Sequence, residues 1–216
     1  MALYDLTLEF YQTLKTAQNK LGDGVALANT DVAYLLGNAG WHVTPNYLDE
    51  LIGWYEIMGL PPAVIVSRED DRDILKDRGF TLERSFAFRT PESSSSKAQV
   101  EQVSWSQMRY AGQLLAQHYE QPENALAIGK SLTKAMQANE GIRSFLAYED
   151  EATGVMVTFE TARHLVSMLS VDGDGSLENR LVQEARSLGL EPLILEALPE
   201  GVGVVGELGL ERWSIR

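Results

Sequence analysis

Gly59-Leu60-Pro61-Pro62 is matched by Gly189-Leu190-Glu191-Pro192, and Arg78-Gly79-Phe80 by Leu208-Gly209-Leu210, both at one constant offset of 130 residues. Gapless spacing across two pairs points to one unit used twice, over residues 48–89 and 177–215. Each copy reads as an amphipathic helix ending at glycine, a proline, a short apolar strand, a second helix ending at glycine, and a final strand. Glycine ends helices and proline follows them for capping reasons alone, and that is the competing explanation.

A chain of 216 residues has room for two such lobes around buried cores. Residues 91–97, Pro-Glu-Ser-Ser-Ser-Ser-Lys, contain nothing that can bury apolar surface and mark the boundary between them. With 44% hydrophobic and 23% charged residues the composition is that of a globular protein. Thirty-one acidic against eighteen basic residues give a net charge of −13, the wrong sign for tracking nucleic acid or an anionic membrane surface. The absence of cysteine removes disulfides, thiolate zinc sites and cysteine nucleophiles. The first six residues carry an acid where a signal peptide carries positive charge, and no apolar run spans a bilayer, so the cytoplasm is the expected compartment.

In the first lobe Leu3, Leu6, Phe10, Leu14, Ala17 and Leu21 recur every three or four residues and predict a helix stopped at Gly22-Asp23-Gly24. Strands are predicted over residues 25–28, 32–36 and 63–67. Thr44 before Pro45 predicts the start of a helix with Leu48, Leu51, Ile52, Tyr55 and Met58 on its inner face. In the second lobe a strand over 100–103 precedes Ser104 and Gln107, the spacing of a capping box, and a helix to Tyr119. A second helix over 122–139 and three strands over 142–148, 153–159 and 164–171 follow. The lobe closes with helix, strand, helix and strand.

The segment Glu196-Ala197-Leu198-Pro199-Glu200-Gly201-Val202-Gly203-Val204-Val205-Gly206-Glu207-Leu208-Gly209-Leu210 resembles the closing segment of the GNAT acyl-CoA N-acyltransferase superfamily, with Ala197, Pro199, Gly201, Leu208 and Gly209 in register. Ile74-Leu75-Lys76-Asp77-Arg78-Gly79-Phe80 resembles the same segment in the first lobe, and the second lobe's element order is that of the superfamily. The resemblance implies a mixed α/β fold of two GNAT-like lobes, each a mostly antiparallel sheet flanked by helices. A truncated lobe over 1–90, a linker over 91–98 and a fuller lobe over 99–216 are expected. It further implies a sheet splayed between residues 164–171 and 193–197, with acetyl-CoA in the cleft and a small amine or a protein amine as acceptor.

In such proteins a glycine-rich loop and the following helix N-terminus hold the CoA pyrophosphate, because glycine lets backbone N–H groups approach the phosphates and the helix dipole favours negative charge. The resemblance puts Leu169, Ser170, Val171, Gly173, Gly175 and Ser176 in that role. The stretch Val171-Asp172-Gly173-Asp174-Gly175-Ser176-Leu177 is shorter than the family pattern, lacks its Arg or Gln, and carries two aspartates. A carboxylate within about 4 Å of a phosphate oxygen costs about 1 kcal/mol even in water-like screening. A tight turn plus helix cap accounts for the same residues, and Asp172 with Asp174 also has the spacing of two calcium-loop ligands.

Val205 stands where the superfamily often has a tyrosine that protonates the departing thiolate. Glu196 is the candidate base for the amine proton, against the simpler reading of a solvated strand-end carboxylate. His42, His118 and His164 are too scattered for a metal site, and none is expected. Trp41, Trp54, Tyr55, Trp105 and Tyr119 read as core or lobe interface in preference to a ligand cage. Residues 68–73 read as a solvated helix start. Two functions follow: acetyl transfer from acetyl-CoA to an amine, or a GNAT-fold binding or regulatory protein without transfer, which accounts for the altered loop and the missing tyrosine together.

Overall fold

The computed structural model describes residues 2–34, 36–67, 71–92, 97–171, 174–203 and 206–215. In chain order the elements are α1 (Leu3–Leu14), β1 (Ala17–Leu21), β2 (Gly24–Ala28), β3 (Gly40–Trp41), α2 (Leu48–Met58), β4 (Ala63–Val66), α3 (Asp71–Asp77) and β5 (Thr81–Arg89). These are followed by β6 (Gln99–Gln102), α4 (Met108–His118), α5 (Ala125–Ala138), β7 (Ile142–Tyr148), β8 (Ala152–Glu160), β9 (His164–Val171), α6 (Ser176–Leu188), β10 (Glu191–Ala197) and β11 (Gly209–Ser214). They form two compact units, one of Met1–Phe88 with Glu196–Arg216 and one of Arg89–Leu195. The final segment, expected within a lobe over 99–216, groups with the N-terminal unit. The reason is pairing: β11 lies between β4 and β5 and is antiparallel to both. Of the expected linker, residues 93–96 lie outside the described residues.

In the first unit the strand order is β1-β2-β3-β4-β11-β5. The predicted long first helix ends at Leu14, because the next residues alternate in burial and fold back as strand β1 onto β2. Gly22, at φ 63°, supplies the left-handed residue of that two-residue turn. The predicted strand over 32–36 does not form among its described residues. Asn29 Oδ1 accepts the N–H groups of Asp31 and Val32, both at 3.0 Å, and Asn38 Nδ2 donates to Val32 O at 3.2 Å. Side chains therefore satisfy this backbone in place of a ladder. The core gathers Leu21, Leu48, Leu51, Tyr55, Val64, Phe80 and Trp213, with the Tyr55 hydroxyl donating to Leu27 O at 2.6 Å.

In the second unit the order is β10-β9-β8-β7-β6, antiparallel except for β10 on β9. Ser104 N donates to Gln107 Oε1 at 3.0 Å, the backbone half of the expected capping box, ahead of α4. Phe145, Met156, Leu165, Leu177, Leu181, Ala185 and Ile194 pack α6 against the sheet. The predicted helices and the three central strands of this unit form within a few residues of their expected bounds.

The paired glycines explain half of the internal match. Gly59 and Gly189 end α2 and α6 at φ 68° and 70°, and in both cases the next residue donates back five positions, Leu60 N to Tyr55 O and Leu190 N to Ala185 O. This is the double-bonded left-handed cap that glycine favours. Gly79 ends α3 in the same way, with Phe80 N donating to Leu75 O. Its counterpart Gly209 opens β11, and the described residues of 198–208 form turns, so the expected last helix is absent there. Glycines at φ 80° (Gly201) and 129° (Gly206) interrupt that segment, conformations that an L residue in a helix does not adopt.

Candidate functional site

The sheet of the second unit opens at one place. The parallel ladder between β9 and β10 runs from Glu191↔His164 to Ile194↔Ser167 and stops, although β9 continues to Val171. On the other side of β9 the register with β8 shifts between Val157↔Leu169 and Thr158↔Ser167, which leaves Met168 as an extra residue. A bulge bends the strand that carries it and terminates pairing. The bulge and the last rung are consecutive residues, so β9 leaves β10 where Met168 is inserted. Leu169, buried, and Ser170 and Val171, half-buried, therefore lie beyond the ladder on a strand edge that β10 does not cover.

At the start of α6, Gly175 is left-handed at φ 77° and its carbonyl accepts Asn179 N. Ser176 N, one of the helix's orphan amides, donates to Asp174 Oδ1 at 3.0 Å. In the first turn Glu178 forms a two-pronged ion pair with Arg89, whose Nη1 lies 3.1 Å from Glu178 Oε2. The helix dipole that would favour a phosphate is thus already met by the chain's own carboxylates. Asp172 and Gly173, and with them the loop's first glycine and the possible calcium pair, lie outside the described residues.

Glu196 is exposed, two residues past the last rung on β10. Val205 lies outside the described residues. His42 has a left-handed backbone (φ 54°) and its Nε2 sits 2.9 Å from Asp5 Oδ1. His118 packs edge-on to Tyr119, and His164 Nδ1 is 3.6 Å from Glu191 Oε2. No group of three or more acidic or histidine side chains is placed to hold a metal among the described residues. Trp41 and Tyr55 are core, as expected, whereas Trp105 is 59% exposed. Tyr119 is half-buried, and loss of solvent pushes its hydroxyl up to about 12. No helix among the described residues is long and apolar enough to cross a membrane.

Sequence reasoning did not find Met168, because a bulge leaves no mark in an apolar run, nor the Arg89–Glu178 pair, which joins positions far apart in the chain. The loop's alternative reading, a turn with Ser176 as the helix cap, is corrected: Ser176 is the first residue of α6 and Asp174 accepts its amide, because Gly175 turns the chain at φ 77°.

No family model and no curated protein matches the chain. Solved structures do. A functionally unknown conserved protein from Staphylococcus epidermidis superposes at a TM-score of 0.58 with 10% identity, covering 93% of each chain. A GCN5-related N-acetyltransferase from Sphaerobacter thermophilus superposes at 0.50 with 14% identity, covering 89% of this chain and 81% of that one. The fold is GNAT-like. Identity this low makes the GNAT-like likeness one of architecture, and chemistry has to be argued from the residues.

Proposed function

We propose that the protein binds an acyl-CoA along the open edge of β9 and transfers the acyl group to an amine. The observation that carries this reading is the coincidence of the Met168 bulge with the last β9–β10 rung. It leaves the edge of Leu169–Val171 that faces away from β8 outside the β9–β10 ladder in a partly buried setting, where strand amides and carbonyls on that edge need a partner. The pantetheine arm of CoA is amide-bearing and extended, and it supplies the activated acyl thioester. Gly173, Gly175 and Ser176 would face its pyrophosphate. The fit is good at the strand and poor at the helix, where Asp174 already accepts the Ser176 N–H.

In the transfer, the amine attacks the thioester carbonyl, the C–S bond breaks, and the amine loses one proton. Glu196 would take that proton, and solvent would protonate the thiolate because valine at position 205 cannot donate. The acidic surface suits a cationic acceptor, a polyamine or a lysine side chain. The test is release of free thiol from acetyl-CoA in the presence of such amines. Acceptor-dependent release that falls about 100-fold or more in Glu196→Gln supports the reading and the assignment of the base.

A second reading is favoured by the Asp174 and Glu178 carboxylates at the start of α6: a GNAT-like protein that binds a ligand or partner without transferring an acyl group. Acetyl-CoA binding without thiol release would select it.

A further inference from the structure

Ser176, Asn179, Arg180 and Gln183 recur at helical spacing and share one flank of α6. With Ala98 and Val100, at the start of β6, they wall a cavity of about 210 Å³. None of these six residues is acidic, in a chain of net charge −13. Their polar groups are a guanidinium, a hydroxyl and two carboxamides, a set rich in donors and carrying one positive charge.

Two of those groups lack a hydrogen-bond partner among the described residues. Ser176 Oγ and Arg180 Nε are both buried, and Ser176 is only 4% exposed. Buried polar atoms are nearly always paired, and these two sit on residues that line one cavity; both are closed to solvent, so an occupant is reached only when the side chains turn toward it. Arg180 Nη2 donates to Glu184 Oε2 at 2.6 Å, and its guanidinium lies 5.4 Å from the centre of the Phe145 ring. These contacts fix the plane of the fork, with Nη2 engaged by Glu184 and the neighbouring Nε without a hydrogen bond among the described residues.

We propose that this cavity binds a small oxyanion, a carboxylate or phosphate group, on Arg180 and Ser176, with Asn179 and Gln183 alongside. Arginine with a hydroxyl is the donor set suited to such groups. The volume is below the roughly 300 Å³ of drug-sized pockets, which restricts the ligand to a small molecule. The site shares Ser176 with the acyl-CoA reading but uses its hydroxyl and the α6 flank in place of the amides at the helix start, so Arg180→Gln and Gln183→Leu, which leave those amides intact, separate the two.

The test is amide NMR on the full chain, titrated separately with inorganic phosphate and with succinate. The expected result is saturable shifts confined to residues around 98–100 and 176–183 with at least one of the two, and the stronger binder identifies the class. Affinity should fall about 10-fold or more in Arg180→Gln and several-fold in Ser176→Ala, which keeps the backbone N–H, while Arg163→Gln leaves it unchanged. If Arg180→Gln does not fold, Ser176→Ala and Gln183→Leu carry the comparison. Absence of saturable shifts with either anion would mean that water fills the cavity and would overturn the proposal. So would equal binding in the variants.

Discussion

Asp174 Oδ1 accepts the backbone N–H of Ser176 at 3.0 Å, so the chain sets its own carboxylate against the amide that a phosphate would use. Asp174→Asn keeps an oxygen able to cap the helix and removes the charge. Acetyl-CoA should therefore bind about 5- to 10-fold more tightly to Asp174→Asn than to the parent chain, the effect of relieving about 1 kcal/mol of repulsion. Parallel calorimetric titrations read the difference, and unchanged or weaker binding would remove α6 from the account of the site.

The first unit depends on a buried ion pair. Glu211 is fully buried on β11 and accepts Arg72 Nε at 2.9 Å and Trp213 Nε1 at 3.0 Å. Glu211→Leu removes the buried carboxylate shared by Arg72 and Trp213 Nε1 and should cost about 3 kcal/mol in urea unfolding. The double variant Arg72→Met/Glu211→Leu should recover part of that loss, because the guanidinium leaves with its carboxylate while Trp213 Nε1 still lacks its acceptor. Equal losses in the single and double variants would show that the pair matters by its shape alone.

Two helical glycines should respond with opposite signs. A Cβ at Gly112 of α4 would collide with Ala125 O and come within 2.8 Å of Gly129 N, so Gly112→Ala must part α4 and α5, at about 1–3 kcal/mol. A Cβ at Gly53 of α2 would meet nothing within 4 Å, and Gly53→Ala should stabilise by about 0.5–1 kcal/mol. Thermal midpoints of the two variants check both signs.

Tyr119 sets an alkaline limit. Its folded-state value near 12 exceeds the ordinary 10, so between those values the folded chain holds a proton that the unfolded chain has released. Stability from this group is complete below pH 10 and is lost as pH rises through about 12. Urea midpoints measured across that window should fall less steeply in Tyr119→Phe than in the parent. Coincident slopes would show that the hydroxyl is solvated in the folded state.

Elements with a plain apolar signal were legible in the sequence: β7, β8 and β9 are short runs buried almost throughout, and α6 buries Leu177, Leu181 and Ala185 at helical spacing. Ala17 and Leu21 misled because they satisfy a helical and a strand period at once, and the hairpin turn at Gly22 decides between them. The strand expected over 32–36 failed to a pair of asparagine side chains, Asn29 and Asn38, whose bonds to the backbone leave no trace in hydropathy. Gly59 and Gly189 form the same cap, while Gly209 shows that a matched glycine can open a strand as readily as it closes a helix. At the site, the glycine and serine positions were readable. The opening of the sheet between 164–171 and 193–197 was expected from the resemblance, but its exact place was not, because it rests on one inserted residue, Met168, in a strand of ordinary composition.

The end of β9 is the proposed seat of an acyl-CoA. The most direct measurement is calorimetric titration of acetyl-CoA into the full chain, with hydrogen exchange of the Met168–Val171 amides followed in the same samples. Saturable binding in the micromolar range and slowed exchange at those amides are expected. No heat, no thermal shift and unchanged exchange at millimolar ligand would contradict it.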